Sequence, residues 1–162
     1  MLSPRLQFIY DQLLPEQDVW DLCCDHGYLG IVALKSKRFR NIHFVDQAQH
    51  LVLALQAKWG HEAAAYFYPH SAQTILTAMN GNIVIAGVGA SKIIEILAGL
   101  SQQQDFRSCR LILVPHKDEE QLESMLEPYL IKFRLDQRLS VQEGPRVRRV
   151  FVLNSRDDFG VA

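Results

Sequence analysis

The feature that most constrains this chain is a rhythm. Short runs rich in β-branched and aromatic residues (Val19-Trp20-Asp21-Leu22, Ile42-His43-Phe44-Val45, Ala65-Tyr66-Phe67-Tyr68, Ile83-Val84-Ile85-Ala86 and Leu111-Ile112-Leu113-Val114) alternate with stretches of helical periodicity. Strands joined through helices pair in parallel, because the crossover returns the chain to the same end of the sheet. Each helical stretch carries a single apolar stripe. Leu6, Ile9, Tyr10 and Leu13 form the first, Leu51, Val52, Leu55 and Trp59 the second, and Ile93, Ile94, Leu97 and Leu100 the third. Leu122, Met125 and Leu126 form the last, behind an acidic first turn of Asp118, Glu119 and Glu120. A capping hydroxyl at Ser3, a proline at position 4 and a stop at Pro15 predict an N-terminal helix over residues 3–14. Apolar strands with single-striped helices require an α/β architecture, a parallel sheet covered on both faces.

From about residue 129 the rhythm breaks. Two strand-like runs, residues 129–141 and 148–153, flank Glu143-Gly144-Pro145, which has the composition of a hairpin turn and not of a helical crossover. The sheet is therefore expected to close with an antiparallel pair, a terminal β-hairpin over about residues 129–154. With no repeat, linker or low-complexity stretch, residues 1–162 read as one domain.

Composition narrows the function. Seventeen Lys plus Arg against eighteen Asp plus Glu leave a net charge of −1, so any nucleic-acid surface must be local. No apolar run approaches the roughly 18 residues of a membrane span, and the N-terminus lacks a secretory pattern; the expectation is a cytoplasmic protein. The adjacent Cys23 and Cys24 and the solitary Cys109 fit neither a disulfide framework nor a zinc motif, and the six histidines show no metal-ligand spacing. The cysteines are expected to be reduced core fillers, with no metal bound.

In a parallel sheet, ligands sit beyond the carboxyl ends of the strands, and small or polar residues crowd each such turn here. Asp46, ending the second strand about 20 residues past the first turn, has the spacing of a carboxylate that accepts both hydroxyls of a nucleoside ribose; an Asp in that place is also an ordinary helix cap. The first turn, Cys23-Cys24-Asp25-His26-Gly27-Tyr28, lacks the G-x-G-x-x-G that lets backbone approach a pyrophosphate. Its Asp25, with Asp21 in the preceding strand, would repel phosphate and suit a cationic or amino-acid-bearing nucleoside; S-adenosylmethionine is the common one.

The run Asp21-Leu22-Cys23-Cys24-Asp25-His26-Gly27-Tyr28-Leu29 resembles the D-I-G-S-D-H-A-Y-L signature of the bacterial tRNA (adenine-22, N1)-methyltransferases. Ile85-Ala86-Gly87-Val88-Gly89 is similar to their I-A-G-M-G, Leu2-Ser3-Pro4-Arg5-Leu6 to their L-S-K-R-L, and Leu111-Ile112-Leu113-Val114-Pro115-His116 to their L-I-L-Q-P-N. The resemblance implies a class I S-adenosylmethionine-dependent methyltransferase fold, a Rossmann-like, doubly wound sheet of seven strands, mostly parallel with an antiparallel last strand. It implies cofactor contacts from Asp21, Cys23, Cys24, Asp25, Gly27, Asp46, Gln47, His70, Ser71, Ala86, Gly87 and Gly89. The first turn would wrap the methionine part, Asp46 would hold the ribose, and His70 and Ser71 would lie beside the adenine. Residues 86–89 would face the transferring methyl, where Gly87 and Gly89 would leave a gap about as wide as a base. Two departures stand out. Cys23 replaces a glycine at the cofactor, and family members continue into a C-terminal helical domain used on tRNA, whereas this sequence stops after its last strand.

Adenine N1 has a free lone pair at neutral pH, so attack on the methyl needs no strong base, while the product ring is cationic. Asp25 is the expected stabiliser of that charge, with His26 a hydrogen-bonding or proton-accepting neighbour and Tyr28 a stacking surface; the structural alternative makes Asp25 and His26 helix caps and packs Tyr28 beneath the helix. For RNA, Lys132, Arg134, Arg138, Arg146, Arg148 and Arg149 on the hairpin, and Lys35, Lys37, Arg38 and Arg40 after the first crossover helix, are each either a phosphate path or a solvated face. The expected activity is methylation of adenine N1 in tRNA. The alternatives are methylation of a small molecule or protein, or a module that binds cofactor or RNA without catalysis.

Overall fold

The computed structural model describes residues 1–157. One sheet of seven strands orders them β3-β2-β1-β4-β5-β7-β6. Helix α1 (Pro4–Gln12) leads into β1 (Val19–Leu22), α2 (Tyr28–Ser36), β2 (Ile42–Val45), α3 (Gln49–Trp59) and β3 (Ala65–Tyr68). After a 3₁₀ turn (Ala72–Thr74) come β4 (Gly81–Ala86), α4 (Ala90–Ser101), β5 (Cys109–Val114) and α5 (Glu119–Met125). A second 3₁₀ turn (Glu127–Tyr129) precedes β6 (Phe133–Glu143) and β7 (Arg146–Ser155). β1 to β5 pair in parallel; β7 runs antiparallel to both β5 and β6. The Rossmann-like α/β class expected from the sequence is therefore the class observed.

Why the strands read as continuous apolar runs is visible in β4. Ile83 and Ile85 point to one face, packed with Ile93, Leu97 and Leu100 of α4 and Leu122 of α5, while Val84 points to the other with Ile9 of α1, Leu29 and Leu34 of α2 and Val52 of α3. Both parities are buried, so period-two alternation disappears. The N-terminal helix begins as expected: Ser3 Oγ accepts from Leu6 N–H at 3.2 Å and Pro4 opens the first turn. It ends at Gln12, two residues before the expected limit, because Leu13 is already extended.

The terminal hairpin needs correction at its edges. Residues 129–132, expected to be strand, precede it: Pro128 sits in the 3₁₀ turn and the ladder starts at Phe133. The strands then run to Glu143 and from Arg146, further into the turn than the apolar pattern implied, because ladder bonds between backbones do not require apolar side chains. Likewise α5 starts at Glu119, with Asp118 before it in a left-handed conformation and making no side-chain cap. No helix among the described residues is long and apolar enough to cross a membrane.

Candidate functional site

Strand order reverses around β1, which lies between β2 and β4, and ligand crevices form at such switch points. The turn after β1 is tight. Cys23, Asp25 and Gly27 have φ of 59°, 54° and 76°, all left-handed. Only the last is a glycine, and a β-carbon there would also meet the Leu55 side chain at 2.9 Å. Left-handed backbone at two non-glycine residues costs roughly 1–2 kcal/mol each and persists only where surrounding bonds over-determine it. Those bonds are present: Cys24 N–H donates to the Val45 carbonyl at 2.9 Å and Gly27 N–H to the Cys24 carbonyl at 2.8 Å.

Asp46 completes the restraint. Its Oδ2 accepts from Asp25 N–H at 2.8 Å and its Oδ1 from Ala48 N–H at 2.9 Å. It thus orders the start of α3, as the cap alternative required, and ties that start to the first turn. A carboxylate has about four acceptor positions, so two remain for a ligand's hydroxyls. Asp21 is buried, accepts from Gly30 N–H at 3.2 Å, and is pushed up to about 7 chiefly by burial, with the Asp46 charge adding to the shift. Burial raises the Cys23 thiol to about 11 and the Cys24 thiol further, so both stay protonated at neutral pH.

Asp25 and Tyr28 line the cavities after the first turn, whereas His26 lies outside their lining, beside Asp25. The Asp25 and His26 side chains are exposed, with His26 Nε2 3.7 Å from Asp25 Oδ1. Neither caps α2, whose N-cap is Gly27 with no side-chain bond. Tyr28 is 62% exposed and does not pack beneath the helix. The structural alternative stated for these residues is therefore not what the chain adopts.

Two cavities meet here. The first, about 280 Å³, is walled by Asp46, Gln47, Leu51, Ser71, Gln73 and Lys92; the second, about 220 Å³, by Arg5, Asp21, Cys24, Tyr28, Leu29 and Ala86. Cys23, Asp25 and Gly87 line both and form the wall between them. His70 stands outside this lining, exposed, its Nδ1 3.0 Å from Thr74 Oγ1. Gly89 is the N-cap of α4, and the expected gap does not exist there, since the Lys117 side chain fills the space at 2.8 Å from where a β-carbon would be. Gly87, with φ of 77°, does leave space, bounded by Arg5 Nη1 at 3.7 Å.

A profile of the methyltransferase domain family matches residues 2–150. The chain belongs to the methyltransferase domain family. The crystal structure of the Bacillus subtilis m1A22 tRNA methyltransferase TrmK superposes with a TM-score of 0.82 at 21% identity, over 97% of this chain and 68% of that one. Mycoplasma capricolum TrmK, solved with S-adenosylhomocysteine, does so with a TM-score of 0.76 at 16% identity, over 100% and 73%. At these identities the likeness establishes the fold. In sequence, MG248 of Mycoplasma genitalium, named provisionally as a tRNA methyltransferase, is 30% identical over 111 residues, which cover 67% of this chain and 49% of that protein. The chain thus spans about half the length of this curated relative.

Sequence reasoning missed Arg5 and Lys92. Arg5 lies inside the Leu2–Leu6 segment that carried the resemblance, and Lys92 sits in the first turn of α4 behind Gly87-Val88-Gly89. The basic hairpin also looks different in three dimensions. Arg148 is mostly buried, donates to the His116 carbonyl at 3.0 Å and lies 3.4 Å from Glu143 and 3.7 Å from Glu119, so it is an internal strut and not a phosphate contact. Arg138 pairs with Glu123, Arg149 with Glu120 and Arg134 with Asp136. In the other cluster Lys37 pairs with Glu62, and Arg38 lies over Tyr10 and Phe39.

Proposed function

We propose that this chain is an S-adenosylmethionine-dependent methyltransferase domain that methylates N1 of an adenine in tRNA. The observation that carries the reading is the pair of cavities with a common wall at Cys23, Asp25 and Gly87: one is headed by a pre-oriented carboxylate, the other lined by two carboxylates and one arginine. A nucleoside bearing an amino acid suits that donor set. Asp46 would hold the ribose hydroxyls, with Gln47 and Ser71 flanking the adenine, and Asp21 with the first turn would meet the ammonium. The cofactor supplies an electrophilic methyl group on a sulfonium.

The chain's own residues do the rest. Gly87 and Ala86 leave the wall thin enough for an acceptor to approach. Asp25 presents its exposed carboxylate at that wall, where it stabilises the positive charge that develops on the base, with His26 beside it. Tyr28 offers an exposed ring on the rim, on which an extruded base stacks. This reading implies a cytoplasmic protein acting on RNA as one domain, and the fold and sequence likeness to tRNA methyltransferases support the substrate.

Incubation with labelled S-adenosylmethionine and bulk bacterial tRNA, followed by nucleoside analysis, tests it: labelled 1-methyladenosine is the expected product. Asp25→Asn should slow turnover by one to three orders of magnitude, on the scale of lost electrostatic stabilisation, with a much smaller change in cofactor affinity. Because Cys23 puts a side chain into the shared wall, a binding module is the second reading. A wild type that binds cofactor and tRNA but transfers no methyl would decide for it.

A further inference from the structure

The two basic clusters of the chain hold their charge differently. On the hairpin Arg138, Arg148 and Arg149 each face a glutamate. At the end of α2 the exposed cations sit on rings instead. Lys35 and Lys58 lie over Trp59, with Nζ 5.4 and 5.7 Å from the ring centroid. Arg38 lies over Tyr10 and Phe39 at 5.5 and 5.6 Å and donates to the Tyr10 hydroxyl at 3.3 Å. A ring orients a cation through its quadrupole and leaves the charge uncancelled, whereas a carboxylate cancels it. Of the acids nearby, Glu62 pairs with Lys37 at 3.3 Å and Asp18 is turned inward onto His43 at 2.8 Å, while Glu16 is exposed, its N–H donating to the Arg38 carbonyl at 2.8 Å. Arg40, also exposed, makes no ion pair among the described residues. The local balance is positive on a chain whose net charge is −1.

Helix α2 joins this patch to the second cavity: Tyr28 opens the helix at the cavity and Lys35 stands in its last turn. Nine residues at 1.5 Å each span about 13 Å, roughly four nucleotide steps at 3.4 Å along a stacked strand. A strand whose extruded base stacks on Tyr28 therefore brings phosphates over Lys35, Lys37 and Arg38 within one short run. On the tRNA reading above, we propose that the end of α2, with Lys58 of α3, is an RNA-docking surface that holds the phosphates of a strand running along α2 from the nucleotide at Tyr28. The occupant is a nucleic acid and not a bilayer surface, because Trp59 and Tyr10 are half-buried and Phe39 is buried beneath the cations, so none of these rings projects as a membrane anchor.

Filter binding of bulk tRNA across a salt series tests this surface. Lys35→Gln, Arg38→Gln and Lys58→Gln combined should weaken tRNA roughly thirty- to a hundredfold near 0.15 M salt and lower the salt slope by about two to three, as the loss of three phosphate contacts requires. The same loss of charge at the opposite edge of the sheet, Arg107→Gln, Lys132→Gln and Arg156→Gln combined, should change both much less. Glu62→Gln, which releases Lys37 from its one carboxylate, should tighten tRNA and raise the slope by up to about one, a gain that misfolding does not produce. Thermal melts report the folding of each variant, and Glu62→Gln keeps the test open should the patch variant melt early. A patch variant with the wild-type slope, or a control variant that loses as much, overturns the inference and leaves the tRNA reading standing. So does a patch variant that loses binding to phosphatidylserine vesicles and keeps its affinity for tRNA, which assigns the surface to a membrane. A wild type that binds no tRNA overturns the tRNA reading itself.

Discussion

Replacing Asp46 by alanine perturbs the site in two separable ways, and the structure sets the size of each. The side chain accepts two backbone N–H bonds, from Asp25 and Ala48, at 2.8 and 2.9 Å. Both donors belong to turns, and each lost charge-assisted bond at this half-buried position costs about 1 kcal/mol once water replaces the acceptor. Stability should fall by about 1–3 kcal/mol, a drop of roughly 2–10 °C in midpoint for a chain of this size. Binding should fall further, because the same carboxylate would receive both ribose hydroxyls: about 2–4 kcal/mol, or thirty- to a thousandfold in S-adenosylhomocysteine affinity. Calorimetry well below the variant's unfolding midpoint measures the second quantity without the first. Asp46→Asn keeps one acceptor and should fall between. A variant that melts early yet binds S-adenosylhomocysteine as tightly as the wild type would refute the reasoning and leave Asp46 as a fastener of turns.

The other expectations concern charge. Asp21 has a folded pKa of about 7, above its unfolded value of 3.8, so the folded protein retains a proton that the unfolded chain loses. Its contribution to stability is present below pH 4 and disappears as the pH rises through about 7; thermal unfolding from pH 4 to 8 should show the wild type losing stability relative to Asp21→Asn, by up to about 4 kcal/mol, and parallel curves would count against the buried acid. On the hairpin, Arg146→Glu with Arg149→Glu should weaken tRNA binding and lower its salt slope by about two, whereas Arg148→Glu should destabilise the protein by about 2–4 kcal/mol because it sets a third acid beside Glu119 and Glu143. Filter binding across a salt series and denaturant melts check the two arms, and a fully stable Arg148→Glu protein would contradict the strut.

The parallel part of the fold was legible because backbone and side chains agree there: apolar runs such as Ile83-Val84-Ile85 bury both parities under helices on both faces, and nothing else satisfies such a strand. The hairpin was legible in kind and not in extent. Its outer ladder joins exposed residues, Ser140 with Arg149 and Gln142 with Val147, whose pairing leaves no hydrophobic signature. Among the residues that line the cavities, Cys23, Asp25, Asp46, Ser71 and Gly87 stand in turns after strands, where position and the family resemblance together pointed, while His26 and His70 of the same turns fall outside the lining. Arg5 was not found, because α1 precedes the sheet and reaches the cavity only by lying across β6, a contact between residues far apart in sequence. Lys117 filling the space at Gly89 escaped for the same reason: a glycine in a sequence shows where a side chain is missing, not what occupies the space.

The same limit explains the basic residues. A sequence registers Arg138, Arg148 and Arg149 as a cluster of charge, but the acids that meet them, Glu119, Glu120 and Glu123, come from α5, and Glu143 comes from the end of β6. Arg149 and Arg138 keep exposed side chains, and their pairs with Glu120 and Glu123 are of the solvated kind, worth under about 1 kcal/mol and exchangeable for a phosphate. Arg148 is different, because three partners surround a mostly buried guanidinium and removing it strands two acids. The hairpin therefore divides by depth: its outer cations remain open to a polyanion, while the inner one joins Glu143 in fixing Arg5 over Gly87. A surface open to a polyanion and a strut that holds Arg5 beside the second cavity can thus occupy one pair of strands without competing for the same side chains.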